Sequence, residues 1–274
     1  MNFSSARQYF AQEIQQPDEH INLAKAALYI AQEEYPNLYP DEYLNALDTM
    51  AMELQERLPS QRYVLKVIQS INQYLYDDLG FAGNAENYYD PHNSFLNDVI
   101  DRRVGIPITL ALVYLEIAQR IDFPMVGVGM PGHFLIRPDI PETEIFIDAF
   151  NRGEIMFPQD CQERLNQIYQ QPMQLQPEFL AKVSKRQFLA RILANLKYIY
   201  LNQQQLEKAL AAVERILLLF PGAVLELRDR GLLCYELGEF TQAADDLEAY
   251  LTKAPHAQDA AVIEQILTLL RRTR

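Results

Sequence analysis

The chain has 274 residues, 49% of them hydrophobic and 22% charged, a balance typical of a globular protein and not of a disordered chain. Its formal net charge of −13, without a cluster of Lys and Arg, argues against nucleic acid as a partner. The sequence has no long apolar run, no signal-peptide pattern and only two cysteines, so we expect a cytoplasmic protein that does not span a membrane.

The first eighty residues are predicted to be helical. Two sets of apolar residues recur at intervals of three and four, which gives each helix one apolar face. The first set is Leu44, Leu47, Ala51, Leu54 and Leu58, and the second is Val64, Ile68, Ile71 and Leu75. Residues 80–94 are rich in Gly, Asn, Asp and Tyr, which predicts an ordered loop because Asn and Asp side chains satisfy the backbone locally.

A helix buried on most sides is predicted to follow this loop. Nearly every residue from 110 to 117 is apolar, so no side of the helix is left polar. Pro107 suits the first turn of such a helix, where a missing N–H costs nothing and the fixed φ fits.

Three short β-like runs come next, at residues 125–130, 133–137 and 144–150, with a turn signal, PDIPET, between the last two. If the turn is centred between Ile140 and Pro141, His133 lies opposite Asp148 in an antiparallel hairpin. Alternation then places both side chains on one face of the hairpin and leaves the other face apolar. The pattern predicts a core on one face and a site on the other.

The end of the chain repeats itself with a period of 34 residues, which separates Ala209 from Ala243 and Pro221 from Pro255. This is the period of tetratricopeptide repeats. The first repeat carries Lys197 where a small residue is usual. Two repeats and a last helix at residues 258–272 form a short array, so we expect it to lean on the preceding domain or on a partner.

Three segments, in order, resemble the bacterial SirB-type branch of the transglutaminase-like superfamily: SFLNDVIDRRVGIPITLALVYLEIAQR, GVGMPGHFLIRP and FIDAFNRGEI. The resemblance covers roughly residues 15–165, and a tetratricopeptide tail is a common companion in this branch. It implies an α+β fold: a helical part at residues 1–80, a papain-like core with a central helix and a small antiparallel sheet at 81–180, and tetratricopeptide-like helices with a capping helix at 181–274.

Active members of the superfamily use a cysteine at the start of the central helix, a histidine on one strand and an aspartate on the next. The helix N-terminus and the imidazole stabilise a thiolate, and the carboxylate orients the imidazole. The resemblance places His133 and Asp148 at the last two positions and Pro107 at or next to the cysteine. Proline has no nucleophilic atom, and Gly-Ile-Pro is typical of the SirB-type branch.

Two other residues are alternative nucleophiles. Thr109 carries the only hydroxyl near Pro107, and it would need His133 within hydrogen-bond reach; otherwise it is a helix-terminal threonine bonded to the backbone. Cys161 follows a predicted helix start at Pro158, where the helix dipole would lower its pKa, although a buried cysteine is usually inert.

Further residues are candidates for binding. From the loop, Asn84, Tyr88, Asn93 and Ser94 are predicted to line the cleft beside Pro107, or else to form a structural plug. Arg102 and Arg103 would either hold an anion at the helix start or pair with Asp98 or Asp101. No metal site and no cofactor are expected, since the histidines outside the hairpin lack partners at ligand spacing.

Two functions remain open. The preferred interpretation is a protein-binding or regulatory protein that lacks the catalytic cysteine and takes up a protein or peptide partner through its repeats. The alternative is a papain-like hydrolase or acyltransferase that uses Thr109 or Cys161 together with His133 and Asp148.

Overall fold

The computed structural model describes residues 5–141 and 143–273 and has an α+β fold. It divides into two compact units, Met1–Leu189 and Ala190–Arg274. Among the described residues, no helix has the length and apolarity needed to cross a membrane.

The first unit begins with four helices, in agreement with the prediction that the first eighty residues are helical, and the two predicted apolar sets fall on the last two. Their bounds are α1 Ser5–Glu13, α2 Leu23–Gln32, α3 Pro40–Gln55 and α4 Val64–Asn72, and a π-helical segment, Gln73–Asp78, extends α4. Leu47, Ala51 and Leu54 are buried on α3, whereas Leu58 lies beyond its end. Asn22 caps α2, because its side chain accepts a hydrogen bond from the Lys25 N–H.

The centre of the unit is a helix buried nearly all round. Two short strands, β1 Ala82–Gly83 and β2 Val104–Gly105, pair in parallel around α5 Leu96–Arg102, and α6 Pro107–Arg120 follows. Both ends of α6 carry polar contacts, while Leu110, Val113 and Ile117 are at most 2% exposed. The prediction of a buried helix that starts at Pro107 is confirmed.

A four-stranded antiparallel sheet follows in the order β3 Met125–Val128, β4 Leu135–Pro138, β5 Phe146–Asp148 and β6 Glu154–Met156, and α7 Pro158–Tyr169 comes after it. The first three strands fall within or beside the predicted β-like runs and are shorter than them, and β6 was not predicted. One face of the sheet packs on α7 through a cluster of apolar side chains that includes Leu135, Phe146 and Cys161.

The predicted hairpin register is wrong by two residues. Ile136 pairs with Ile147, whereas a turn centred between Ile140 and Pro141 would place Ile145 opposite it. The connection is longer than predicted because the Asp139 N–H donates to the Pro124 carbonyl and extends the pairing with β3. Glu142 of this connection lies outside the described residues. A shift of two residues leaves each side chain on its predicted face.

The end of the chain is helical: α8 Lys185–Asn202, α9 Leu206–Leu219, α10 Val224–Glu236, α11 Phe240–Lys253 and α12 Ala260–Thr273. Gly231 permits close packing of α10 on α11, because a Cβ there would lie 2.7 Å from Leu247. Lys197, unusual for its repeat position, reaches Glu226 at 2.7 Å and Asp229 at 3.0 Å on α10. An ion-pair cluster therefore replaces the usual small residue.

Candidate functional site

His133 and Asp148 form a direct buried pair. His133 Nε2 lies 2.7 Å from Asp148 Oδ2, and the two residues are 8% and 0% exposed. Asp148 is the last residue of β5, while His133 lies two residues before β4 begins. The imidazole is thus oriented by a carboxylate through Nε2, as an acid–base pair requires.

Asp148 is surrounded by further donors that the sequence did not reveal. Oδ2 also accepts from Asn151 Nδ2 at 2.8 Å and from Arg164 Nη1 at 2.5 Å, and Oδ1 accepts the N–H groups of Phe150 and Asn151 at 3.0 and 3.2 Å. Burial opposes ionisation of Asp148, but the hydrogen bond and charge of His133, the hydrogen bond from Asn151 and the charge of Arg164 hold its pKa below the ordinary value. The carboxylate is therefore ionised and has five partners.

The turn after Asp148 is held by the N-terminal helices. The Tyr76 hydroxyl donates to the Ala149 carbonyl at 3.0 Å, and Asn72 Nδ2 donates to the Gly153 carbonyl at 2.7 Å. Asn72 Oδ1 in turn accepts from the Tyr114 hydroxyl of α6. Gly153 has φ 72°, and a Cβ there would lie 2.1 Å from Asn72 Oδ1, so this position requires glycine.

At the start of α6, Thr109 is engaged with the backbone. Its Oγ1 accepts the Ile106 N–H at 3.1 Å and donates to the Asn93 carbonyl at 2.6 Å, and the residue is fully buried. These contacts are those of a helix-terminal threonine bonded to the backbone, the alternative to a nucleophilic role. Pro107 is the first residue of the helix and is also buried.

The predicted loop reaches the same region through Asn93, which is fully buried. Asn93 Oδ1 accepts from Asn84 Nδ2 at 3.1 Å, and Asn93 Nδ2 donates to the carbonyls of Asn87 and Tyr88 at 2.8 and 3.3 Å. Because the Asn93 carbonyl also accepts from Thr109, the loop is fastened to the first turn of α6.

A row of aromatic rings connects the loop with the histidine. Tyr88 lies edge-on to Phe150 with ring centroids 6.1 Å apart, and Phe150 lies edge-on to His133 at 6.3 Å. Phe150 also covers Gly83, where a Cβ would lie 2.6 Å from the ring, and Gly83 pairs with Gly105 just before α6. The candidate residues Asn84, Tyr88, Asn93 and Thr109 therefore belong to one contact network with His133 and Asp148.

The remaining candidate binding residues behave differently. Arg102 pairs with Asp90 at 3.1 Å, not with Asp98 or Asp101. Arg103 ends α5 in a left-handed conformation, which turns its guanidinium over the Phe81 ring. The predicted ion pairs with Asp98 or Asp101 are thus replaced by these contacts, and the anion-binding role of the two arginines stays a prediction. Ser94 Oγ is buried and has no hydrogen-bond partner among the described residues.

Both cysteines are buried thiols. Burial, with the nearby charge of Asp160, raises the pKa of Cys161 to about 12, and burial and Glu239 raise the pKa of Cys234 to about 12. The lowered pKa considered for Cys161 is thus wrong, because desolvation outweighs the helix dipole. Within the described part of the chain, no three His, Cys, Asp or Glu side chains are grouped to hold a metal ion.

Comparisons with known proteins agree with this architecture. A model of the transglutaminase-like superfamily matches residues 41–194, and a tetratricopeptide-repeat model matches residues 196–268. A UPF0162 protein from Xylella fastidiosa (strain 9a5c) is 34% identical over 264 residues, which cover 94% of this chain and 92% of that protein. F-box only protein 21 from Pongo abelii is 26% identical, over 91% of this chain and 44% of that protein.

A solved structure is similar at a lower level. The crystal structure of menin that reveals the binding site for Mixed Lineage Leukemia (MLL) protein shares 11% identity and a TM-score of 0.42, over 90% of this chain and 68% of that chain. This likeness is too low to carry an argument. The family match spans more than half of the sequence, and the chain therefore belongs to the transglutaminase-like superfamily, with tetratricopeptide repeats after that domain.

Proposed function

We propose that this chain is a protein-binding or regulatory member of the superfamily, of the SirB type, in which Pro107 occupies the position of the catalytic cysteine. The observation that carries the proposal is the first turn of α6. It contains Pro107 and a threonine whose hydroxyl already donates to the Asn93 carbonyl at 2.6 Å. This arrangement offers no thiol beside the His133–Asp148 pair.

The contacts of the alternative nucleophiles support the same conclusion. Attack by Thr109 would first require its hydroxyl to leave both the Ile106 N–H and the Asn93 carbonyl, which would leave two buried backbone groups unpaired. Cys161 is fully buried, and a thiol whose pKa is about 12 is almost entirely protonated at neutral pH.

The retained pair then serves to hold a ligand or to shape the cleft. Asp148 is fixed by Arg164 and Asn151 as well as by His133, so the imidazole is held rigidly. A rigid imidazole beside the Phe150 ring, which Tyr88 also contacts, suits a binding cleft with aromatic walls. Asn84, Asn93 and Ser94 complete the cleft in this proposal.

The repeats supply a second binding surface in the proposal. Tyr198 and Leu201 on α8 and Leu225 on α10 are 52%, 40% and 59% exposed, although they are large and apolar. Exposed apolar side chains on successive repeats suit a peptide or helix from a protein partner. A cytoplasmic location is part of the proposal, and two unpaired cysteine thiols are consistent with it.

Mass spectrometry after covalent labelling tests the proposal against the enzyme alternative. The full chain is incubated at pH 7.5 with iodoacetamide and, separately, with a fluorophosphonate that acylates activated hydroxyls. We expect no modification of Thr109, and no faster labelling of Cys161 than of Cys234, which is buried in the other unit. Stoichiometric modification of Thr109 or Cys161 that disappears in the His133→Ala variant would establish the hydrolase or acyltransferase instead.

A further inference from the structure

A pocket lies among the helices of the first unit. It has a volume of about 410 Å³ and is formed by the loop between α2 and α3, the first turn of α3 and one residue of α5. The lining residues are Glu34, Tyr35, Pro36, Asn37, Leu38, Tyr39, Glu42, Tyr43 and Asn97. It shares none of them with the His133 cleft.

Aromatic and acidic side chains dominate this pocket. Tyr35, Tyr39 and Tyr43 follow one another at intervals of four residues, and Glu34 and Glu42 add two carboxylates. The nine lining residues include no Lys, Arg or His. Tyr39 is 67% exposed. The Glu42 carboxylate makes no hydrogen bond or ion pair with the described residues. Aromatic faces and carboxylates both attract cations.

The carboxylates of α5 increase this negative character. The Tyr35 hydroxyl donates to Asp98 Oδ2 at 2.7 Å, and the Tyr43 hydroxyl donates to Asp101 Oδ2 at 2.8 Å. Burial and the hydrogen bond to Asp101 raise the pKa of Tyr43 to about 12, so the phenol is neutral at pH 7. The hydroxyl hydrogens thus point at carboxylates and are not available to a ligand, which leaves the pocket rich in acceptors and poor in donors.

Asn97 provides an independent sign of a missing donor. The residue is 5% exposed, and its Nδ2 donates to Asp98 Oδ1 at 3.2 Å, which fixes the orientation of the amide. Its Oδ1 is buried and accepts no hydrogen bond from the described residues. Gln32 repeats the pattern next to the pocket: Nε2 donates to the Leu38 carbonyl, while Oε1 is buried without a donor. Buried acceptors of this kind are unfavourable until a donor arrives.

We propose that this pocket binds the guanidinium group of an arginine presented by a protein partner. A guanidinium carries five N–H donors and a flat face that stacks on tyrosine, so it matches acceptors and aromatic rings together. Because the Asn97 oxygen is buried, a bound donor reaches it only when the side chain turns and exchanges its 3.2 Å contact with Asp98 for the ligand. The first unit has 26 acidic and 14 basic residues, which also favours a basic partner.

Titration calorimetry of the full chain with Nα-acetyl-arginine-methylamide tests the proposal. The matched control ligand is the citrulline derivative, which has the same shape and no charge. We expect saturable binding of the arginine compound, binding of the citrulline compound weaker by at least about fivefold, and a loss of affinity of about two- to fivefold in Tyr39→Ala and in Glu42→Gln. The lysine derivative should bind less tightly than the arginine derivative.

Glu56→Gln is the matched protein control, since it removes one exposed carboxylate from the other end of α3 and should leave the affinity unchanged. Equal affinities for the arginine and citrulline compounds would overturn the proposal. Equal losses of affinity in Glu42→Gln and Glu56→Gln would also overturn it, because they would show only a general attraction between charges. That the arginine comes from a protein partner rests on the proposed binding function. The pocket itself is tested independently of the His133 site, because the His133→Ala variant should bind the arginine compound with the wild-type affinity.

Discussion

Helices α6 and α7 begin in the same way and yet present different chemistry. Each starts with a proline, and in each the third residue accepts the N–H that precedes the helix: Thr109 Oγ1 from Ile106 at 3.1 Å, and Asp160 Oδ2 from Phe157 at 2.7 Å. In α6 this side chain is buried and donates onward to Asn93, whereas in α7 it is exposed. The local cap is the same, but the surroundings differ.

The difference teaches that a helix N-terminus does not by itself create a nucleophile. Cys161 lies in the first turn of α7, where the helix dipole favours a thiolate, yet burial and Asp160 raise its pKa to about 12. At α6 the first residue is proline, which has no nucleophilic atom. One helix start thus carries a thiol that stays protonated, and the other carries no thiol.

Asp148 connects these two regions, because it binds His133 in the cleft and Arg164 on α7. Asp148→Ala should therefore have the largest effect, a loss of about 3–5 kcal/mol in the free energy of unfolding at pH 7, since it removes the buried carboxylate that pairs with His133 and leaves the partly buried Arg164 with Glu154 alone. Urea denaturation measures this loss. Asp77→Ala, which removes an exposed ion pair with Arg152, should cost no more than about 1 kcal/mol.

The difference in stability between wild type and Asp148→Ala should depend on pH. The folded pKa of Asp148 lies below its unfolded value, so its contribution is present above about pH 4 and is lost as the pH falls through the folded value. The difference in stability between wild type and Asp148→Ala should shrink below about pH 4. A difference that stays constant down to pH 2.5 would show that the carboxylate is not held as an anion.

The two caps provide a direct comparison. Thr109→Val removes a buried hydroxyl and leaves the Ile106 N–H and the Asn93 carbonyl unpaired, so we expect a loss of about 1–3 kcal/mol. Asp160→Ala removes an exposed cap, and water can replace it, so the expected loss is about 0.5–1 kcal/mol. Urea midpoints measure both. Equal losses would mean that burial of the α6 cap contributes nothing.

The sequence predicted those parts of the site that depend on local pattern. The alternation of side chains predicted that His133 and Asp148 share one face of the hairpin. The fixed φ and missing N–H of proline predicted that α6 starts at Pro107. The hairpin register was wrong, but by two residues, and an even shift preserves the face of every side chain. The repeat period likewise predicted helical pairs, because each repeat encodes its own helix boundaries.

The parts that the sequence missed depend on contacts between distant segments. Arg164 reaches Asp148 from a helix that starts ten residues after β5, and no periodicity predicts which arginine does so. Asn72, at the end of α4, and Tyr76, in the π-helical segment that follows, support the turn, and the sequence does not distinguish this segment from an ordinary helix. A local signal did exist for Asn151, since Asp followed by a short turn accepts N–H groups two and three residues on.

Cys161, the thiol in the first turn of α7, is expected to show a smaller effect. Its folded pKa of about 12 lies above the ordinary value of 9.0, so its contribution to stability is complete below about pH 9 and is lost as the pH rises toward 12. We expect the stability difference between wild type and Cys161→Ala to fall by about 1 kcal/mol between pH 9 and pH 10. Urea midpoints across this range measure it, and parallel curves for the two proteins would contradict burial as the cause.

The central claim is that Pro107 stands where the cleft would hold a nucleophile, and Pro107→Cys tests it most directly. The change should cost at most about 1 kcal/mol, because an N–H at the first helical position needs no partner within the helix. The rate of alkylation by iodoacetamide is measured against pH, with peptide mass spectrometry to separate the introduced thiol from Cys161 and Cys234. We predict rapid alkylation well below pH 8.5, and a return toward an ordinary cysteine when His133→Ala is added. The same pH profile in both backgrounds would show that His133 does not face position 107 and would contradict this account of the cleft.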